Sequence, residues 1–228
     1  GTRIAYVKSV PPSSQSKSRS SFREVWVTDV DGTNQRQFTS GPNNSWSPEW
    51  TPDGNLSFLS LRKEHNKFTQ IYTIPTDGGE AVPLTSHSGS VSSYSWSPNG
   101  RWIAFISKDK ISIEEQERRT EGYDMIVMGK EQLYNRLWIF DLETKSHETI
   151  FRQDLNVSNF VWSPDSKFII FQASEKVNID QEYLESSIYL VKAPSGNPRK
   201  IIDTPGKLGS MSISCLLYTS DAADEYSG

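Results

Sequence analysis

The sequence predicts an all-β chain: a partial β-propeller of about four blades, each a four-stranded antiparallel sheet, forming part of a larger ring. Three observations predict it. A Trp-Ser/Thr-Pro-Asp/Asn-Gly/Ser turn occurs three times, as Trp50-Thr51-Pro52-Asp53-Gly54, Trp96-Ser97-Pro98-Asn99-Gly100 and Trp162-Ser163-Pro164-Asp165-Ser166. An apolar, aromatic-centred run occurs four times, as Val25-Trp26-Val27, Ile71-Tyr72-Thr73, Leu137-Trp138-Ile139 and Ile188-Tyr189-Leu190. The two landmarks share a period, since Trp50 and Trp96 lie 46 residues apart and so do Val25 and Ile71. A meander that repeats at about 40–50 residues is the signature of propeller blades.

Each element has a local cause. In the turn, Pro presets the backbone angle of the second position, Asp or Asn suits the third and Gly the fourth, as in a type I turn. Apolar, β-prone residues flank it, so the segment reads as a hairpin. Each aromatic-centred run is followed by a turn (Asp31-Gly32, Asp77-Gly78-Gly79, Glu143-Thr144-Lys145 or Ser195-Gly196-Asn197) and then a short closing strand. In the fullest unit the four strands are expected over residues 92–96, 103–107, 137–142 and 147–151. Domain boundaries follow: a partial propeller over 1–214, with blades at 1–40, 41–86, 87–152 and 153–204 and the start of another at 205–214. One blade cannot bury both of its faces, so the repeated Trp residues are expected to pack between neighbours. The first unit begins at its second strand, residues 4–9, without a Trp-bearing strand or a leader before it, and is read as starting inside a larger protein.

Composition excludes several classes. The chain has 228 residues, 35% hydrophobic and 23% charged, with a net charge of -4 and both signs interspersed. A basic face for nucleic acid is not expected, and no apolar run is long enough to span a membrane. The single cysteine, Cys215, allows no disulfide framework. His65, His87 and His147 are isolated in sequence, lack metal-ligand spacing and are read as solvated loop residues. Two insertions break the period. One is a Ser-rich basic loop over 11–21. The other, over 108–134, stretches Trp96 to Trp162 to 66 residues. Its Ile113-Glu114-Glu115-Gln116-Glu117-Arg118-Arg119 run has helical charge spacing and reads either as a solvated helix or as an arm bordering a partner or a substrate entrance.

Taken together, Arg3-Ile4-Ala5-Tyr6-Val7, Val25-Trp26-Val27-Thr28-Asp29 and the Trp50–Gly54 turn resemble the N-terminal propeller of the prolyl oligopeptidase family, in its acylaminoacyl-peptidase and dipeptidyl-peptidase-like branch. Tyr134-Asn135-Arg136-Leu137-Trp138 after a charged insert is the most specific part of the resemblance, and Asp203-Thr204-Pro205-Gly206 also fits. The resemblance covers roughly residues 3 to 210. It implies a substrate-gating propeller that admits short peptides, in a serine peptidase whose α/β-hydrolase domain lies outside this chain. That domain would carry the nucleophile on a G-x-S-x-G elbow, and no such elbow occurs here. The sequence therefore assigns no catalytic, cofactor-binding or metal-ligating residue and no cofactor. The expected partners are the hydrolase domain and short peptide substrates, with no nucleic acid and no membrane. A non-enzymatic Tol-type propeller that binds a protein partner stays open, because such propellers share the repeat. The compartment is undetermined, with a soluble, cytoplasmic location preferred to a periplasmic one.

The last segment, residues 215–228, breaks the pattern. Cys215-Leu216-Leu217-Tyr218-Thr219-Ser220-Asp221-Ala222-Ala223-Asp224 resembles the translation of a transposon-derived sequencing adapter and is read as a non-native tail. Unpaired strand edges in an incomplete ring lead to the further expectation that the isolated chain is poorly soluble or self-associates.

Overall fold

A computed structural model describes residues 1–11, 21–41, 43–62, 67–110, 133–178, 184–203 and 208–214. The two insertions and the tail singled out above fall mostly or wholly outside these residues.

Among the described residues, fifteen strands make four separate antiparallel sheets in sequence order. The first sheet has three strands: β1 (Arg3–Val10), β2 (Phe22–Asp29) and β3 (Arg36–Gln37). The second runs β4 (Ser45–Trp50), β5 (Leu56–Ser60), β6 (Gln70–Ile74), β7 (Val82–Pro83). The third is β8 (Val91–Trp96), β9 (Trp102–Lys108), β10 (Asn135–Asp141), β11 (Ser146–Thr149). The fourth is β12 (Asn156–Trp162), β13 (Phe168–Ser174), β14 (Ser187–Lys192), β15 (Arg199–Asp203). This is an open, partial propeller of about four blades, and the strand pattern read from the repeats holds. No helix among the described residues is long and apolar enough to cross a membrane.

Side-chain alternation assigns each strand one face to either neighbour. On β9, Ile103 and Phe105 face the second sheet, whereas Ala104 and Ile106 face the fourth, and all four are buried. Three apolar clusters result, one in each seam between sheets. The repeated Trp residues bind the seams, as their spacing predicts. Trp96 Nε1 donates to Ser57 Oγ at 2.9 Å, and Trp162 Nε1 donates to the Ser95 carbonyl at 3.2 Å. Trp162 also stacks on Trp102 at 6.4 Å. Trp50 lies under the Arg3 guanidinium of the first sheet, 5.5 Å from its ring centre.

Antiparallel order fixes the two rims of the arc. The first-to-second and third-to-fourth strand turns all lie on one rim. The second and third strands meet at the other, where both insertions begin and end. On the first rim the three proline turns touch one another. A Cβ at Gly100 would stand 2.8 Å from the Pro52 ring, and Asn99 N–H donates to Ser166 Oγ at 3.0 Å. Ser166 fills the place of a glycine with φ of 61°, a conformation that burdens an L side chain by about 1–2 kcal/mol. Its hydroxyl compensates by satisfying the neighbouring turn. Ser166→Gly would relax the backbone yet leave Asn99 N–H unpaired, and a net loss of about 1 kcal/mol is expected in urea denaturation. A gain in stability would show that the hydroxyl contributes less than the backbone strain costs.

Candidate functional site

The first strands β4, β8 and β12 form the inner side of the arc, each at a free sheet edge and linked to its neighbour by bonds such as Trp162 to Ser95. Each carries a bulge: between Trp46 and Glu49, between Val91 and Ser93, and between Val157 and Asn159. A bulge leaves backbone groups outside the ladder. Serine occupies each of them, as exposed Ser47, Ser92 and Ser158. Ser92 Oγ donates to the Ile106 carbonyl at 3.1 Å and Ser158 Oγ to the Gln172 carbonyl at 3.4 Å. Small hydroxyl side chains thus mark the bulge of each first strand, two of them bonded to their own sheet.

The seam between the second and third sheets holds the most perturbed titratable groups. The β4 bulge places two residues opposite Phe58, so Trp46 and Glu49 fall on one face, paired with Leu59 and Ser57. That face meets the third sheet. Tyr94 Oη donates to the Ser47 carbonyl at 2.9 Å and lies 3.0 Å from Ser57 Oγ. Trp96 N–H donates to Glu49 Oε2 at 3.4 Å. Burial raises the Glu49 carboxyl to about 7, against the smaller opposing effect of the Trp96 amide. Burial likewise pushes the Tyr94 phenol above its ordinary value, with the Glu49 charge adding to the shift.

The same seam corrects the reading of the histidines as solvated loop residues. His87 is only 4% exposed. Its ring packs on Trp138 at 4.5 Å, His147 at 4.9 Å and Phe105 at 5.2 Å. Gln70, fully buried on β6, holds the His87 backbone from both sides: it accepts from His87 N–H at 2.8 Å and donates to the His87 carbonyl at 2.9 Å. Burial, then the neighbouring His147 and Lys110, lowers His87 to about 4. Burial also lowers half-buried His147. Both rings are neutral at pH 7. Among the described residues His87 Nδ1 has no hydrogen-bond partner, so no carboxylate there orients it from that nitrogen as an acyl-transfer triad requires. His65 lies outside the described residues.

Arg136, from the Tyr134–Trp138 run, ties the root of the long insertion to the next sheet. Its Nε donates to Asp109 at 3.0 Å, Nη2 to Asp154 Oδ1 at 2.7 Å and Nη1 to the Gln153 carbonyl at 2.8 Å, while its guanidinium covers the Tyr134 ring at 4.8 Å. Asp109 N–H donates to the Tyr134 carbonyl at 2.8 Å, closing the base of the loop. With its side chain 15% exposed, Arg136 combines fork geometry with partial desolvation. Arg136→Ala is expected to lose about 1–2 kcal/mol and to raise protease cleavage within 111–132. Unchanged proteolysis would show that the loop root does not depend on it.

Among the described residues, no three His, Cys, Asp or Glu side chains converge as a metal site would require. The 113–119 run and Cys215 lie outside the described residues. The Glu49 and His87 clusters escaped sequence reasoning, because each depends on partners brought from other blades. The one sequence cue was the Ser47-Pro48 pair within a strand, where proline marks a bulge or an edge.

No protein-family model matches the chain. It is 28% identical over 189 residues to the uncharacterized peptidase YuxL of Bacillus subtilis (strain 168), spanning 76% of this chain and 28% of that one. Acylaminoacyl peptidase of Pyrococcus horikoshii superposes with a TM-score of 0.61 at 16% identity, over 88% of this chain and 30% of the peptidase. TolB of Acinetobacter baumannii superposes with a TM-score of 0.56 at 21% identity, over 87% of this chain and 41% of TolB. The chain thus spans less than half the length of each. Its fold is similar to that of the propellers in TolB and in acylaminoacyl peptidase.

Proposed function

We propose that this chain is the substrate-gating propeller of a serine peptidase, acylaminoacyl- or dipeptidyl-peptidase-like, whose α/β-hydrolase domain lies elsewhere on a longer protein. The observation that carries the reading is the 28% identity to a peptidase across 76% of the chain, because the likeness to TolB rests on the fold. The Tyr134–Trp138 run supports it independently. In this reading residues 1–214 belong to the ring and the peptide over 215–228 is foreign to it. The hydroxyl-lined inner strands would receive an extended peptide through its backbone, without demand on side-chain type. Blades packed face to face around a ring would exclude folded proteins on width alone. Chemistry would reside wholly in the hydrolase domain.

The test is to recover the gene from source DNA and read on past the codon for Ser214. Further Trp-Ser-Pro-Asp-Gly blades followed by a G-x-S-x-G elbow are expected. The full protein should then cleave short peptides and spare folded ones, and deleting the propeller should abolish that size discrimination. A frame that closes the ring and stops would replace the peptidase with a Tol-type binding propeller.

A further inference from the structure

Among the described residues, five buried side-chain nitrogen or oxygen atoms have no hydrogen-bond partner. Three of them, His87 Nδ1, Ser107 Oγ and Trp138 Nε1, share one corner of the seam between the second and third sheets. Both sheets are complete there, with four strands each. Ser107 lies two residues beyond Phe105 on β9, and Trp138 is the cross-strand partner of Phe105, so all three side chains face the second sheet. His87 meets them from the connection between β7 and β8, its ring 4.5 Å from Trp138 and 5.2 Å from Phe105. Gly89 keeps the space between His87 and Ser107 open. A Cβ there would stand 2.8 Å from Ser107 Oγ and 3.5 Å from His87 Nε2.

Leaving a buried polar group unpaired costs about 1–3 kcal/mol, and three in one corner mark a place for a ligand. Its chemistry follows from what the corner offers. The indole nitrogen can only donate, and the serine hydroxyl and a neutral imidazole can each donate as well. The nearby backbone acceptors are already engaged, because the His87 and Gly89 carbonyls both accept from Gln70 Nε2, at 2.9 and 3.2 Å. Lys110 lies near enough for its positive charge to act on His87. Free donors beside a cation suit a negatively charged oxygen, since hydrogen bonds to an ionised acceptor are the strong ones. Half-buried His147 packs on His87 at 4.9 Å from the outer strand β11, which puts the corner within reach of the surface.

The geometry points to a binding site for a small carboxylate between the second and third sheets, held by Trp138 Nε1, Ser107 Oγ and the His87 imidazole. A free organic acid and the C-terminal end of a short peptide present the same group. The site does not depend on the peptidase reading.

Acetate titrated into the 228-residue chain at pH 7 and fixed ionic strength should move the indole N–H NMR signal of Trp138, identified as the one missing from Trp138→Phe. The shift should saturate with a dissociation constant of about 1–10 mM. At ten times that concentration the folding equilibrium constant should rise about tenfold. Ser107→Ala removes one donor and Gly89→Ala fills the space, and each should weaken acetate binding about tenfold or more. Ser107→Ala should fold as well as the wild type without acetate, because the hydroxyl it removes is unpaired. Acetyl-diglycine binding more tightly than acetate would assign the site to peptide ends, and equal or weaker binding would assign it to free acids. If neither compound moves the indole signal, the space holds only water and the proposal fails. It fails equally if chloride or the amide of acetyl-diglycine binds as well as the carboxylates, or if both variants bind acetate as the wild type does.

Discussion

Gly100→Ala is expected to destabilise the chain by about 2–4 kcal/mol, whereas Gly54→Ala, at the equivalent place in the preceding blade, loses about 1–2 kcal/mol. Both residues adopt left-handed φ, 72° at Gly100 and 83° at Gly54, so both substitutions carry the same backbone penalty. They differ in what the new methyl meets. At Gly54 nothing lies within 4 Å. At Gly100 the methyl would stand 2.8 Å from Pro52 Cβ and Cγ. Neither group can move aside, since the proline ring is fixed to the turn of the neighbouring blade and overpacking adds about 1–3 kcal/mol. Side-by-side urea denaturation of the two variants isolates the contact between turns. Equal losses would mean that the turns merely lie near one another.

Glu49→Gln is expected to stabilise the chain at pH 8 by about 3 kcal/mol and to leave it nearly unchanged at pH 4. Glu49 has its carboxyl raised to about 7 in the folded chain against an ordinary 4.5. Between these values the unfolded chain releases the proton and the folded chain retains it, so the unfolded state binds fewer protons and stability falls as pH rises. Above pH 7 the penalty is complete, and each pH unit that separates the folded from the unfolded value is worth about 1.4 kcal/mol. Glutamine mimics the protonated acid and can still accept from Trp96 N–H. His87 and His147 act in the opposite sense. Their values are lowered in the fold, so they withdraw stability as pH falls below the ordinary 6.5. The difference between wild type and Glu49→Gln removes this shared background. A difference that does not change from pH 4 to pH 8 would show that Glu49 titrates alike in the folded and unfolded chain.

The two expectations mark where the sequence was legible. The turns could be read because their physics is local: proline, a small polar residue and glycine specify the chain reversal without help from elsewhere. The strands could be read from alternation, and the blade order from the repeat. The role of Gly100 beyond its own turn could not, since Pro52 belongs to another blade. Nor could the burial of His87, which sits in a polar stretch, Thr85-Ser86-His87-Ser88-Gly89, that reads as a solvated loop. Gln70, on a strand of the preceding blade, draws that backbone inward. Glu49 shows a third kind of failure. Strict alternation would put it on the face opposite Trp46, and only the bulge at Ser47-Pro48 reverses the count. Arg136 stands out in sequence for its place in the Tyr134–Trp138 run, but its four partners come from residues 109, 134, 153 and 154, two of them beyond the next strand.

The two rims differ in their tolerance of added length, and this has a practical use. On the rim of stacked turns each hairpin end is a neighbour's packing surface, so an extra residue in one displaces the next. On the opposite rim contacts between the third and fourth sheets come from Tyr134 and Arg136, at the root of the insertion and outside 111–132, and the long connections run between Val10 and Phe22 and between Lys108 and Asn135. A foreign epitope or reporter spliced into 111–132 should therefore leave blade stacking intact, whereas the same splice between Pro98 and Asn99 would part the column. The arc is in this sense a cassette with one face already adapted to carry cargo.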